Sequence, residues 1–165
     1  MIKDSGDRTE FESGAVRDMR KGKGRCDLLP LDVVDESLTY PENSIFPHIS
    51  KFQETGDSGH LRDILRFHWD ILRFESPAHM LLEVAKHFEE GAKKYGDNNW
   101  RKGIPANVYI DSAIRHYLKF LRGDTDERHD RAFMWNIMCC IWTCEHIPEL
   151  NTYAKNDEKE NGNDN

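Results

Sequence analysis

The strongest constraint on the fold is the helical spacing of apolar residues, which recurs from residue 60 onward. Four stretches carry it: 60–75, 78–95, 106–122, and from Asp124 or Asp126 to about Glu145. Ser76 and Pro77 are typical of a helix N-terminus, and Gly96 and Gly123 are typical of the residue after a helix. Strand signals are weak throughout. The sequence therefore predicts an all-α fold, a bundle of about four main helices.

The charge balance limits the partners of the protein. The chain has 23 basic and 30 acidic residues and a net charge of −7, which argues against binding to nucleic-acid phosphates. No apolar run approaches the ~20 residues that cross a membrane, and the N-terminus lacks the pattern of a signal peptide. We therefore expect a cytoplasmic protein with no nucleic-acid or membrane partner.

The four cysteines have two interpretations. Cys140 and Cys144 are one helical turn apart and could hold a metal. They lie in an apolar helix together with Cys139, however, and buried free cysteines are ordinary core residues in reducing compartments. We expect free core cysteines.

Acidic residues lie beside the apolar stripes of the predicted helices rather than opposite them. An acid in such a position needs a positive partner, and a divalent metal is a common one. The candidate metal ligands are Glu89, Asp111, Glu127 and Asp130. Simpler interpretations exist: Glu89 could form a marginal salt bridge, and the other three could stabilise the first turn of a helix.

Three helices with one or two carboxylates each would suit Mg²⁺ or Mn²⁺, hard ions that prefer oxygen ligands and bridge to phosphates. The chemistry that such a site implies is attack of water on a phosphoanhydride. Glu89, Lys94 and Arg115 are the candidate catalytic residues, the two cations neutralising charge on a pyrophosphate leaving group.

Four ordered segments carry a family resemblance: FESGAVRDMRKGKGRCDLLP at 11–30, HFEEGAKKYGDNNWRKGIP at 87–105, DSAIRHYLKFLRGD at 111–124, and the acid, His and Trp-Asn pattern at 126–136. They resemble the dATP/dGTP diphosphohydrolases of phages and bacteria, relatives of the MazG-like all-α nucleotide pyrophosphohydrolases. The resemblance implies a MazG-like bundle that hydrolyses dATP or dGTP to the monophosphate and pyrophosphate with Mg²⁺ or Mn²⁺. It also implies a homo-oligomer, dimer or tetramer, in the cytoplasm of a bacterium or a phage-infected host.

By this resemblance, the four candidate acids would ligate the metal. The chain departs from the wider superfamily at one point. That superfamily pairs acids three residues apart on its first metal helix, whereas here the neighbours of Glu89 at that spacing are Lys86 and Ala92.

Candidate substrate-binding residues fit the same family. They are Arg17, Lys23 and Arg25 for the triphosphate, Asn99 and Trp100 for the base, and His129 and Asn136 to orient the nucleotide. The alternatives are a flexible solvated arm, a tryptophan that serves only for packing, and hydrogen bonds to a neighbouring helix.

The predicted organisation has four segments: a basic, glycine-containing, irregular arm at 1–30, a loop and accessory amphipathic helix at 31–77, a helical metal- and nucleotide-binding core at 78–150, and a disordered tail at 151–165. The 31–77 segment is longer than a minimal member of the family needs, and it could be an arm for dimerisation.

Two other functions stay open. His129 and Asp130 form an HD dipeptide, and His87 or His116 could complete the site of an HD-type phosphohydrolase, which would release a nucleoside and triphosphate. A non-catalytic nucleotide-binding or interaction protein on the same scaffold is the second alternative. A purely structural helical protein would leave the acids beside the apolar stripes unexplained.

Overall fold

The computed structural model describes residues 6–19, 22–31 and 45–154, and within them the protein is mainly helical. Five α-helices follow one another between residues 45 and 154: α1 Phe46–Thr55, α2 Gly59–Phe67, α3 Pro77–Tyr95, α4 Ala106–Arg122 and α5 His129–His146. Single 3₁₀ turns lie at Cys26–Leu28, Asn99–Lys102 and Pro148–Leu150. Two strands, β1 Arg8–Glu10 and β2 Val16–Asp18, pair as an antiparallel hairpin. The predicted all-α fold is confirmed.

Local signals set the ends of α3 and α4 where the sequence predicts them. The Ser76 hydroxyl accepts a hydrogen bond from the His79 backbone N–H at 3.1 Å, which caps α3. Gly96 follows α3 with φ +88°, and Gly123 follows α4 with φ +84°. Both lie in the left-handed region, where glycine avoids the steric cost of a Cβ.

Helix α5 is the centre of the core. It packs along α4 and also contacts α3 and α2, so that Phe133, Ile137 and Cys140 have no exposed surface. Because neighbours cover it on several sides, α5 is apolar around most of its circumference. Cys139, Cys140 and Cys144 are buried and free, as expected.

Residues 31–59, which the sequence predicts to be mostly loop, contain α1. Pro47 lies in the first turn of that helix, where its missing N–H costs no hydrogen bond, and Ile49 and Phe52 are fully buried. The sequence does not predict this helix, because Pro47 is also compatible with a loop. Helix α2 in turn ends at Phe67 rather than at residue 75, and turns connect it to α3.

The arm and the start of α5 also differ from expectation. The arm predicted as irregular carries the hairpin, in which Thr9 pairs with Arg17, because strands of three residues are too short to give a sequence period. Helix α5 begins at His129, with Arg128 before it and no side-chain cap. Glu127 therefore lies in the preceding loop and Asp130 in the first turn.

The C-terminal residues close one side of the core. The Tyr153 ring packs edge-on against Phe52 with centroids 5.3 Å apart. A Cβ on Gly56 would lie 2.6 Å from the Ala154 backbone, so this approach requires glycine. The tail predicted to be disordered extends over residues 151–165. Residues 151–154 contact the helices here, and residues 155–165 lie outside the described residues. Within residues 6–19, 22–31 and 45–154, no helix is both long and apolar enough to span a bilayer.

Candidate functional site

A cavity of about 850 Å³ lies between β2, α3, α4, α5 and the loop that follows α3. Four cationic side chains line it: Arg17, Lys23, Arg115 and Lys119. Four aromatic side chains do so as well: Phe88, Tyr95, Trp100 and Trp135. Pockets of this size, with aromatic walls and a few charged groups, are typical of small-molecule sites.

Arg17, on β2, is a charged group of the cavity wall that uses only part of its hydrogen-bonding capacity within the described residues. Its guanidinium lies 5.6 Å from the Tyr109 ring centre and 5.7 Å from that of Trp135, and Nη2 donates to Asn136 Oδ1 at 2.6 Å. Nη1 is buried and has no hydrogen-bond partner within the described residues. Burial lowers the pKa of Arg17, and burial followed by the charge of Arg17 lowers the pKa of His87 to about 4. This wall therefore holds a desolvated cation that an anion would stabilise.

The loop after α3 holds the hairpin against the cavity. The Asn99 amide accepts from the Val16 backbone N–H at 3.1 Å and donates to the Val16 carbonyl at 2.9 Å. Ser13 Oγ donates to the Gly103 carbonyl at 2.5 Å. Asn99 is nearly buried, and its two polar atoms are engaged by the backbone of the arm. Its observed role is to position β2.

Helix α4 holds the rest of the arm. The Asp111 carboxylate, which is fully buried, accepts from the Cys26 backbone N–H at 2.6 Å and from Arg115 Nη2 at 2.6 Å. Arg115 also donates to the carbonyls of Lys23 at 2.9 Å and Gly24 at 3.0 Å. These bonds fix residues 23–26 along α4, so that Lys23 lines the cavity.

Two histidines and a glutamate meet at one wall of the cavity. His116 lies on α4, Glu127 in the loop after it and His129 at the start of α5. The Nδ1 atoms of the histidines are 3.0 Å apart. Glu127 Oε1 lies 3.5 Å from His116 Nδ1 and 3.6 Å from His129 Nδ1. Burial, and then the neighbouring His129, holds the pKa of His116 well below that of a free imidazole.

Asp126 contacts the cluster through His129, at the ring nitrogen that faces away from Glu127 and His116. Its Oδ1 lies 2.8 Å from His129 Nε2, and its Oδ2 accepts from Lys119 at 3.2 Å. The described residues contain two groups that could hold a metal ion: one is His116, Glu127 and His129, and the other is Asp124, Asp126 and His129. The first group touches the cavity, because His116 and Glu127 are part of its wall.

Of the predicted metal ligands, Glu127 lies in such a group and the other three lie apart. Asp111 is buried under the arm, and Glu89 lines the cavity with an ion pair to Lys93 at 2.5 Å. Asp130 binds Arg128 through two hydrogen bonds, at 2.9 and 2.5 Å. The late start of α5 separates it from Glu127. Coordination of one ion by all four carboxylates stays a prediction.

The other predicted site residues divide into two sets. Those that line the cavity are Arg17, Lys23, Asn99, Trp100, Arg115 and Asn136. Those that are not part of its wall are Arg25, Lys94 and His129. Arg25 forms a bidentate pair with Asp27, and the Lys94 ammonium lies 5.5 Å from the Tyr95 ring centre.

Aromatic rings form a continuous series along this wall. The Trp135 ring contacts those of Tyr109 and Phe88, with centroids 6.1 and 5.9 Å apart. Phe88 contacts Trp100 at 5.4 Å, and Trp100 contacts Trp142 at 5.1 Å. Trp100 therefore both packs into the core and contributes to the cavity.

Two residues, Glu83 and His116, were not among the predicted site residues. Glu83 is buried beside Lys86, Arg128 and Arg131, and its pKa falls to about 2 because of hydrogen bonds first from Lys86 and then from Arg131. The helical spacing of apolar residues at 78–95 places Leu81 on the core-facing side, yet Leu81 is 55% exposed and Glu83 lies inside, so α3 is rotated from the predicted orientation. The available signal was the spacing of three between Glu83 and Lys86.

The sequence predicts a site role for His116 only in the HD-type alternative, because its approach to His129 depends on how α4 and α5 pack.

A profile for the family described as "dATP/dGTP diphosphohydrolase, N-terminal" matches residues 57–152, more than half of the chain. The chain belongs to this family. A search of curated proteins and a search of solved structures each gave no match.

Membership of the dATP/dGTP diphosphohydrolase family confirms the resemblance seen in the sequence. The matched span contains α2 to α5 and, with them, the cluster of His116, Glu127 and His129. The hairpin that carries Arg17 lies outside the span. The cavity is thus built from the family region and from a preceding arm.

Proposed function

We propose that the protein hydrolyses a purine deoxynucleoside triphosphate, dATP or dGTP, to the monophosphate and pyrophosphate with a divalent metal ion. Family membership supports the reaction class. The observation that carries the proposal is Arg17, on the wall of a cavity of about 850 Å³. Its Nη1 atom is buried and has no hydrogen-bond partner among the residues that the structure describes. A polyphosphate would supply the charge and the acceptor atoms that this side chain lacks.

The cations of the wall support triphosphate binding. Lys23, Lys119 and Arg115 line the cavity together with Arg17. Each of the first three forms an ion pair with a carboxylate of the protein: Lys23 with Asp18, Lys119 with Asp126 and Arg115 with Asp111. Phosphate oxygens would accept further hydrogen bonds from these donors. The aromatic wall, with Trp135 and Tyr95, offers flat apolar surface on which a purine could stack.

The implied metal agrees with the donors that the wall presents. Glu127 offers a carboxylate oxygen and His116 a ring nitrogen at the cavity, and His129 completes the group. These residues would hold the ion. When bound, it would polarise a phosphoryl oxygen and offset the charge that develops on the leaving pyrophosphate.

In the proposed reaction, water adds to the α-phosphorus while the bond from that phosphorus to the α,β-bridging oxygen breaks. Pyrophosphate leaves, and the proton of the water goes to a base. Glu89 lines the cavity and is the candidate base, once its ion pair with Lys93 opens. Arg115 would neutralise the leaving group, and Lys94 would need to move into the cavity to share that role.

The contacts of Asp130 do not favour the HD-type alternative. That reaction needs the aspartate of the HD dipeptide at the metal, and here both Asp130 oxygens bind Arg128. A non-catalytic nucleotide-binding protein would keep the cavity and Arg17 but show no turnover.

The expected homo-oligomer and cytoplasmic location stay predictions. Light scattering of the purified protein tests for a dimer or tetramer.

The decisive experiment incubates the purified protein with each nucleoside and deoxynucleoside triphosphate, with Mg²⁺ or Mn²⁺, and separates the products by ion-exchange chromatography. Monophosphate and pyrophosphate, formed fastest from dATP or dGTP, are expected. Nucleoside and triphosphate would establish the HD-type reaction instead. Binding without turnover would leave the non-catalytic role. Arg66→Met is the matched control for cavity variants, because Arg66 is an exposed arginine on α2 that pairs with Asp63.

A further inference from the structure

The ligand atoms of His116, Glu127 and His129 are spaced as a metal ion would require. The three separations are 3.0, 3.5 and 3.6 Å. A point equidistant from three atoms with these separations lies about 2 Å from each of them, and bonds from zinc to histidine nitrogen or carboxylate oxygen are ~2.0–2.2 Å long. The cluster therefore matches the size of a three-ligand site before any ion is bound.

A hydrogen bond between the imidazoles accounts for the shortest of these distances, and the other two have the length expected between ligands of one ion. His116 Nδ1 could donate to His129 Nδ1 at 3.0 Å. Glu127 Oε1, however, lies at nearly the same distance from both nitrogens, 3.5 and 3.6 Å. Both distances exceed that of a normal hydrogen bond, whereas two edges of a coordination polyhedron have this length.

The contact between Asp126 and His129 is an independent observation that points to a metal. A carboxylate 2.8 Å from His129 Nε2 holds the ring proton on that nitrogen, which leaves Nδ1 with its lone pair toward the cluster. Metal-binding histidines commonly donate their second nitrogen to a carboxylate in this way. Asp126 is itself held by Lys119 at 3.2 Å, so the orientation of the ring is fixed from outside the cluster.

We propose that His116, Glu127 and His129 bind one first-row transition-metal ion such as Mn²⁺, Co²⁺ or Zn²⁺ in preference to Mg²⁺, with Asp126 as a positioning residue. Two imidazoles and one carboxylate suit such ions, whereas Mg²⁺ prefers oxygen ligands throughout. Because His116 and Glu127 line the cavity, the open coordination positions face it. The ion would meet substrate phosphates there, a statement that rests on the proposed function.

The test is a titration of the metal-free protein with Co²⁺ near pH 7, followed by visible absorption. One equivalent is expected to bind with the intense bands of four- or five-coordinate cobalt, and without the sulfur charge-transfer bands of a cysteine site. Excess Mg²⁺ should not displace it. Failure to bind Co²⁺, or displacement by Mg²⁺, overturns the proposal.

Conservative variants assign the ligands. Glu127→Gln and His116→Gln are each expected to weaken Co²⁺ binding by at least about tenfold, and Asp126→Asn by about 10–100-fold. Glu54→Gln is the matched control, because Glu54 is an exposed carboxylate on α1 that pairs with Lys51. Unchanged Co²⁺ affinity in folded Glu127→Gln and His116→Gln proteins overturns the assignment.

A second measurement on the wild-type protein covers the case in which a variant does not fold. Proton NMR of the cobalt-loaded protein should show two exchangeable, strongly shifted signals, one for the Nε2–H of each bound imidazole. No such signals would overturn the site. Cobalt binding as expected without turnover of any triphosphate would refute the proposed function and leave the metal site standing. Turnover with Mg²⁺ that survives Glu127→Gln would do the reverse.

Discussion

Replacing Arg17 by methionine tests two effects of this side chain separately: its effect on the stability of the protein without nucleotide, and its contribution to nucleotide binding. In the structure, Nη2 makes one hydrogen bond, to Asn136 Oδ1 at 2.6 Å, and Nη1 makes none within the described residues. Methionine has a similar length and keeps contact with the Tyr109 and Trp135 rings. The substitution removes the charge, the hydrogen bond and the unpartnered donor together.

The magnitudes follow from these contacts. A hydrogen bond from a charged group contributes about 1.5–3 kcal/mol, and an unpartnered buried donor costs about 1–3 kcal/mol. These terms nearly cancel, but the Asn136 oxygen loses its partner, so Arg17→Met alone should lower the free energy of unfolding by about 1 kcal/mol. The double variant Arg17→Met/Asn136→Leu removes both polar groups, and we expect it to be at least as stable as the wild type.

Nucleotide binding should weaken in both variants, even though the double variant keeps its stability. Loss of one charged contact to phosphate, about 1.5–3 kcal/mol, corresponds to a roughly 10–150-fold weaker Kd. Urea denaturation without nucleotide gives the stability, and calorimetry with a non-hydrolysable α,β-methylene dATP gives the affinity. Arg66→Met should change neither. A double variant more than about 2 kcal/mol less stable than the wild type, or one with unchanged affinity, would refute the reasoning.

Three further predictions concern stability and turnover. Glu83→Gln should lower the free energy of unfolding by about 2 kcal/mol at pH 7. Because the folded pKa, about 2, lies below the unfolded value, this contribution is lost as the pH falls from about 4.5 toward 2. Denaturation at pH 7 and 3 checks the difference, and an equal deficit at both would contradict it. Gly56→Ala should destabilise the fold by about 2 kcal/mol, because the new Cβ meets the Ala154 backbone. A melting temperature equal to that of the wild type would count against this close approach. Glu127→Gln should abolish triphosphate turnover with helix content retained by circular dichroism. Near-normal activity would remove Glu127 from the site.

Local sequence signals were sufficient for much of the fold. Ser76 caps α3, and Gly96 and Gly123 lie just after α3 and α4 as expected, because these signals act within one helical turn. Helix α1 escaped prediction because Pro47 is equally compatible with a loop and with a first helical turn. Buried Glu83 on α3 also pairs with Arg131 of α5, 48 positions away, and the local spacing of Glu83 and Lys86 does not indicate this second contact.

The candidate site was less accessible to sequence reasoning for the same physical reason. Cys26 and Asp111 are 85 positions apart, and Arg17 and Asn136 are 119 positions apart. Some of the polar and charged wall residues, Arg17 and Arg115 among them, could be predicted from their chemical type and from the family resemblance. The contacts that each side chain makes could not be predicted in this way. Glu127 and Asp130 do not lie on one helix, because α5 starts at His129, two residues after Glu127. The loop determines where this helix starts, and the spacing of the two acids does not.

The series of aromatic rings beside the cavity also has an optical consequence. Three of the four tryptophans, Trp100, Trp135 and Trp142, belong to that series, and Trp135 lies 5.7 Å from the guanidinium of Arg17. Indole emission is sensitive to nearby charge, so an anion that pairs with Arg17 would change the light that Trp135 emits. The protein thus contains its own fluorescent reporter of cavity occupancy, and a ligand could be followed in real time without a label.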